Sequence, residues 1–269
     1  MHPLSNRPAG RALLGRFSHG GGHAARALAT LAVSAAFTAS TAFRAIAALV
    51  TLCLLLVTGL PARAAPRLPP TLQAELDAAV ADHYAGRTAQ ALEAMESLSR
   101  RGVPAADYNL GLLHLKREHP QADRDTAERL LLRAAEAGFV TAQSLLGQAY
   151  ETGQIGKPPR DLVRAHDWYE RAALAGSVDA QVAMGTAHYL GRGRAKDPTR
   201  ALQWYRAAAT GGDVGAMYLT ASMYEQGDGA GRDLRLARYW YERAAEAGDE
   251  AAPGKLKEVE SKLAADAGI

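Results

Sequence analysis

Five glycines, Gly102, Gly138, Gly176, Gly212 and Gly248, stand 36, 38, 36 and 36 residues apart. A nearly constant period of this length means a tandem array of small supersecondary units, each too small to bury its own apolar face and stable only against its neighbours. The text around each glycine repeats with it. Ala106, Ala142, Ala180, Ala216 and Ala252 follow at four residues, then Gly111, Gly147, Gly185 and Ala221 five residues further on. Ahead of the glycines the segments Ala165–Ala173, Ala201–Ala209 and Ala237–Ala245 superpose, each holding a Trp-Tyr pair and ending in Ala-Ala.

Each unit reads as two helices. In the second half Ala165, Trp168, Tyr169, Ala172 and Ala173 lie at i, i+3, i+4, i+7 and i+8, one face of an α-helix. Asp161, Asp197 and Asp233 stand four residues ahead of that stripe, where a carboxylate accepts from free first-turn N–H groups. Pro198 directly after Asp197 fits the first helical position, whose φ it already adopts. The Gly176-type residue closes the helix in the left-handed region, and Ser177, Asp213 and Asp249 cap the next one. The first helix of a unit carries Ala142, Leu146, Gly147, Ala149 and Tyr150 on one face, with Gly147 small enough for its partner helix to approach. The turns Gly191-Arg192-Gly193 and Gly227-Asp228-Gly229 join the two helices, and Gly153-Gln154-Ile155-Gly156 begins a turn longer by two residues.

This pattern, Leu-Gly followed by Tyr and a Gly-x-Gly turn, then Asp, Trp-Tyr, Ala-Ala and Gly, resembles the Sel1-like repeat, a relative of the tetratricopeptide repeat. The resemblance implies an all-α fold, an α-solenoid (right-handed superhelix) of antiparallel helix-turn-helix repeats, with units at 103–138, 139–176, 177–212 and 213–249. The first unit is degenerate, with Leu130-Leu131 in place of Trp-Tyr and no Gly-x-Gly turn. Residues 65–102, with Ala91 in register, read as a worn tetratricopeptide-like capping hairpin. Residues 250–269 repeat only a first helix, and Lys255, Lys257, Glu258, Glu260 and Lys262 give it the polar outer face of a terminal cap.

Charge divides the chain differently. Residues 1–64 hold six of the 31 Lys+Arg and none of the 28 Asp+Glu, which leaves 25 against 28, or −3, for the rest. The formal net charge of +3 is therefore no basic face for nucleic acid, since it resides in a segment with the order of an export signal. Five arginines from Arg7 to Arg44 precede the uncharged run 45–60, and Ala62 and Ala64 supply the small residues that place the cut after Ala64. The expectation is a periplasmic protein. The alternative is an inner-membrane anchor at 45–60, although 16 residues fall short of the ~20 a spanning helix needs. Membrane contact is expected only through this segment, if it is not cleaved. The lone cysteine, Cys53, lies inside the apolar run, which excludes a disulfide framework, a Cys-x-x-Cys redox pair and a thiolate zinc site.

Catalysis finds no foothold. The sequence has no Gly-x-Ser-x-Gly elbow, His-Glu-x-x-His pair, P-loop or dinucleotide fingerprint, so no cofactor is expected. Trp168, Trp204 and Trp240 fit the core better than a ligand platform, and His114 and His188 replace Tyr150 and Tyr224 rather than forming a metal pair. The turn Gly227–Asp233 lacks the closing Glu of a calcium loop, and no metal is expected there. Some cysteine-rich secreted members of that family have been linked to β-lactam hydrolysis, but the cysteines and a Ser-x-x-Lys are missing here. A binding scaffold is left, with a regulatory subunit of an envelope enzyme, or less readily a cell-wall or β-lactam hydrolase, as alternatives.

Resemblance to tetratricopeptide arrays implies a concave groove lined by first helices. The candidate protein-binding residues are Tyr108 and Leu112 in unit one, Gln148 and Glu151 in unit two, Val182 and Tyr189 in unit three, and Tyr218, Ser222 and Glu225 in unit four. Leu115, Thr141, Ser144, Asp179, Thr186, Leu190 and Gln226 share those repeat positions. The expected occupant is a peptide or partner helix of another protein.

Overall fold

The apolar faces found in sequence have one economical solution: in units two and three the Tyr of the Trp-Tyr pair lies on the glycine of the helix before it. A side chain at Gly147 would put its Cβ 2.5 Å from the Tyr169 ring, and at Gly185 2.7 Å from that of Tyr205. In unit one a Cβ at Gly111 would meet Leu131 at 2.8 Å, so the degenerate pair packs in the same place. Interdigitation of this kind holds two helices closer than larger side chains allow.

The computed structural model describes residues 68–157 and 160–267. Among the described residues there are eleven α-helices and no strand: α1 Pro70–Tyr84, α2 Thr88–Arg100, α3 Pro104–Lys116, α4 Arg124–Glu136, α5 Val140–Thr152, α6 Leu162–Leu174, α7 Val178–Leu190, α8 Pro198–Thr210, α9 Val214–Gln226, α10 Leu234–Glu246 and α11 Ala252–Asp266. Each helix packs on the next in order, and first helices α5 and α7 of successive units also touch. The array is an α-solenoid. The run 45–60, Cys53 and the cut after Ala64 lie outside the described residues; no helix of those described is long and apolar enough to cross a membrane.

Caps fix where the helices start and stop. Asp161, Asp197 and Asp233 accept from Arg164, Arg200 and Leu236 N–H at 3.0 Å, while Ser177, Asp213 and Asp249 serve α7, α9 and α11. At the other end Gly176, at φ 91°, donates to Ala173 O, and Ser177 N–H reaches back to Ala172 O. This is the pair of bonds that closes a helix on a left-handed glycine. Unit one departs from the others: α3 stops at Arg117, φ 57°, where the later first helices stop at Gly153, Gly191 and Gly227.

The same unit closes its turn differently. In units two to four the backbone N–H of Asp161, Asp197 and Asp233 donates to the carbonyl of Tyr150, His188 and Tyr224 at 3.1, 2.9 and 2.9 Å. In unit one the N–H of Asp123 donates to His114 Nδ1 at 3.1 Å, so that nitrogen must be unprotonated. Burial and the His119 ring, 4.4 Å away, hold the His114 pKa below the usual imidazole value, with Arg129 acting the same way and Asp123 and Glu96 opposing. The stabilisation is therefore complete above the unfolded pKa of about 6.5 and is lost as pH falls through the lowered folded value. Burial lowers His166 and His188 as well, so they add to the same acid sensitivity. The melting temperature is expected to fall between pH 7 and pH 5, and to fall less in His114→Tyr, which carries the residue of units two and four. An equal fall in both proteins would show that this turn does not titrate.

Candidate functional site

First helices turn their small, apolar face inward and leave the opposite face for other work. On α5 Gln148 and Thr141 are exposed, and Ser144, Leu145 and Glu151 are half-buried. On α7 Asp179 and Leu190 are exposed, with Val182, Thr186 and Tyr189 half-buried. On α9 Leu219 and Gln226 are exposed, with Tyr218, Ser222 and Glu225 half-buried. Val182, Tyr189 and Tyr218 pack against one and the same cluster, built from α8 to α11.

Two expected members are missing from this surface. Tyr108 and Leu112 are 4% and 6% exposed, in the same cluster as Leu76 of α1 and Leu98 of α2. The Phe139 ring stands 5.3 Å from that of Tyr108, and burial, with Tyr84 nearby, pushes the Tyr108 phenol up to about 12. The capping hairpin needs an apolar surface to dock on, and unit one supplies it with the residues that sequence alone assigns to a groove. The exposed face thus belongs to units two to four.

Glu151 and Glu225 do more than line it. The hydroxyls of Tyr169 and Tyr241 pass between the helices and donate to Glu151 and Glu225 at 3.0 Å, while Tyr205 meets Thr186 at 3.0 Å. Each of these phenols ends on a polar partner on a first helix, which removes the penalty of an unpaired hydroxyl. Burial first, then the adjacent carboxylate, raise the Tyr169 and Tyr241 pKa values far above the usual phenol. Burial works against the Glu225 carboxylate, but hydrogen bonds from Lys262 and Tyr241 outweigh it and hold its pKa down.

Tyr189 and Tyr218 are half structural too. The Tyr218 ring meets Tyr241 edge-on at 5.3 Å, and Tyr189 sits between Lys196, 5.9 Å from its centroid, and Asp228 of the next unit, 3.4 Å from its hydroxyl. Leu190 and Leu219 carry less of the packing, at 51% and 38% exposure. Leu219 is the residue that sequence reasoning missed. It stands two positions before Ala221, where units two and three have Leu145 and Ala183 and unit one has Asn109, so an apolar recurrence from unit two onward was there to find.

Four matches to the Sel1 repeat fall at residues 104–139, 140–177, 178–213 and 214–249. Among solved structures, the chain is similar to a Sel1 repeat protein from Oxalobacter formigenes, with 28% identity and a TM-score of 0.58 over 63% of this chain and 49% of that one. It is similar also to a protective antigen present in uropathogenic Escherichia coli strains and displaying an SLR fold, with 29% identity and a TM-score of 0.65 over 72% of this chain and 42% of that one. The chain thus spans less than half the length of either structure. With the repeat matched across more than half of its residues and set in the alternating helices just described, the chain belongs to the Sel1 repeat family.

Proposed function

We propose that the protein is an exported scaffold that binds a peptide or partner helix along α7 and α9, in the periplasm or at the cell envelope. Sel1 repeats generally mediate protein–protein interaction and are generally non-catalytic. The observation that carries the reading is the exposure of Leu190 and Leu219 on successive first helices, beside the half-buried Val182, Tyr189 and Tyr218. Scattered exposed leucines are ordinary on protein surfaces. Recurrence on one face of stacked units, flanked by tyrosines that present large area with few rotors, suits an extended partner.

Because the tyrosines also pack, the two leucines are the cleaner probe. Leu190→Ser with Leu219→Ser is expected to leave the helical signal intact and the melting temperature nearly so, while partner capture from an envelope extract drops at least tenfold, each anchor being worth about 1 kcal/mol or more. Capture at full strength would show that this face is idle. Export rests on the charge asymmetry and the Ala62, Ala64 pair. The intact mass of protein from the envelope fraction is expected to begin at Ala65; a soluble form that still contains Cys53 would overturn the assignment.

A further inference from the structure

Charge is sorted between the two kinds of helix. First helices α5, α7 and α9 contain Glu151, Asp179 and Glu225 and no lysine or arginine at all. Second helices α6, α8 and α10 hold seven arginines against four carboxylates. The two sets therefore carry −3 and +3. Helix ends explain only part of the split: Asp179 lies in the first turn of α7, where the dipole favours a carboxylate, but Glu151 and Glu225 stand at the opposite end of their helices.

Two of the carboxylates act on one phenol. Glu151 accepts from the Tyr169 hydroxyl, and Asp179, on the neighbouring first helix, is close enough to raise the pKa of that phenol further. Asp179 is exposed and has no ion-pair partner among the described residues. Asp228, at the edge, meets only the Tyr189 hydroxyl. The cations nearby sit elsewhere: Lys262 pairs with Glu225, Lys255 with Glu258, Lys196 stands over the Tyr189 ring, and Arg232 donates to the Glu225 carbonyl. Glu151 and Asp179 are left as carboxylates with no ion pair among the described residues, beside an apolar strip of Val182, Leu190, Tyr218 and Leu219.

We infer that the groove takes a cationic, apolar segment of a partner protein, its Lys or Arg opposite Asp179 and Glu151 and its apolar side chains on Leu190, Tyr218 and Leu219. This rests on the groove reading above and names its chemistry. Opposite charge across an interface speeds encounter and rejects like-charged competitors, which an apolar strip alone cannot do. An acidic segment would meet uncompensated Asp179 and Glu151 at close range.

Two labelled helical peptides test it, one of leucine and lysine on opposite faces and one with every lysine replaced by glutamate. Fluorescence anisotropy on the full chain is expected to show binding of the lysine peptide alone, weakening as salt shortens the screening length. Asp179→Lys should weaken it about fivefold or more, whereas Glu246→Lys, the same change of charge on second helix α10, should not. Leu190→Ser with Leu219→Ser should weaken it as well. Equal binding of both peptides, binding of neither, or an equal response to Asp179→Lys and Glu246→Lys would overturn the inference. Cross-linking of the partner from envelope extract separates the two levels. A partner held on α7 and α9 through an acidic segment would overturn the charge assignment and leave the groove standing. A partner held on the second helices, or a second copy of this chain there, would overturn both.

Discussion

Gly229→Ala is expected to lower the unfolding free energy by about 3 kcal/mol or more, and Gly212→Ala by only about 1 kcal/mol. Both glycines have left-handed backbones, at φ 77° and 98°, so both substitutions strain the chain. They differ in what the new methyl meets. At Gly212 there is nothing within 4 Å, whereas at Gly229 the Cβ would lie 2.2 Å from the carbonyl oxygen of Pro198 and 2.6 Å from its carbon. That carbonyl belongs to the first residue of α8, whose position is held by the Asp197 cap and the proline ring. Neither side can give way cheaply. At roughly 2–4 °C per kcal/mol for a chain of this size, the melting temperature should fall about 6–12 °C for Gly229→Ala. Because each unit touches only its neighbours, lost hydrogen-exchange protection should appear first in α8 to α10. Equal shifts for the two substitutions would show that the turn relaxes away from α8.

Arg133→Ala should also cost about 3 kcal/mol, for an electrostatic reason. Asp107 is 2% exposed, and the Arg133 guanidinium binds both of its carboxylate oxygens, with Nε 2.6 Å from Oδ2, and reaches Ser99 of α2 as well. Removing the arginine leaves a buried carboxylate with no counter-charge, which is costlier than never having the pair. The repeat itself supplies the rescue. Units two and three have Gln143 and Gln181 in place of Asp107, and their amides donate to Ala135 O and Ala173 O, the carbonyls eight residues back. By the same register a glutamine at 107 would face the carbonyl of Ser99. Asp107→Gln combined with Arg133→Ala is therefore expected to recover most of the loss in urea unfolding. A double variant no more stable than Arg133→Ala would show that the guanidinium acts through packing instead of charge.

The repeat unit was legible because its constraints are local. A left-handed glycine, an aspartate cap and an i, i+3, i+4 stripe each depend on a few neighbouring residues, so Gly176, Asp197 and Trp168 through Ala173 could be read without a partner in view. Glycine at 147 was legible too, since repetition of a small residue opposite an aromatic pair implies close approach. The role of Gly229 was not: its contact is with the preceding unit, and nothing in a turn sequence says which backbone lies across from it.

The groove was legible only in part, for a similar reason. Repeat register names the residues that could point outward, but exposure depends on what is stacked above and below. Tyr108 and Leu112 have the register of a groove and the surroundings of a core, because the α1–α2 hairpin closes over unit one. Glu151 and Glu225 have the register of binding residues, and tertiary structure gives them the hydroxyls of Tyr169 and Tyr241 to hold. Sequence by itself determined the helices, their caps, their number per unit and their order, because those follow from hydrogen bonds and periodicity within some ten residues. Which outward-facing side chains stay exposed, and which of their carboxylates find a partner, was decided by the packing of whole units on one another, since burial and pairing depend on neighbours that lie a full repeat away.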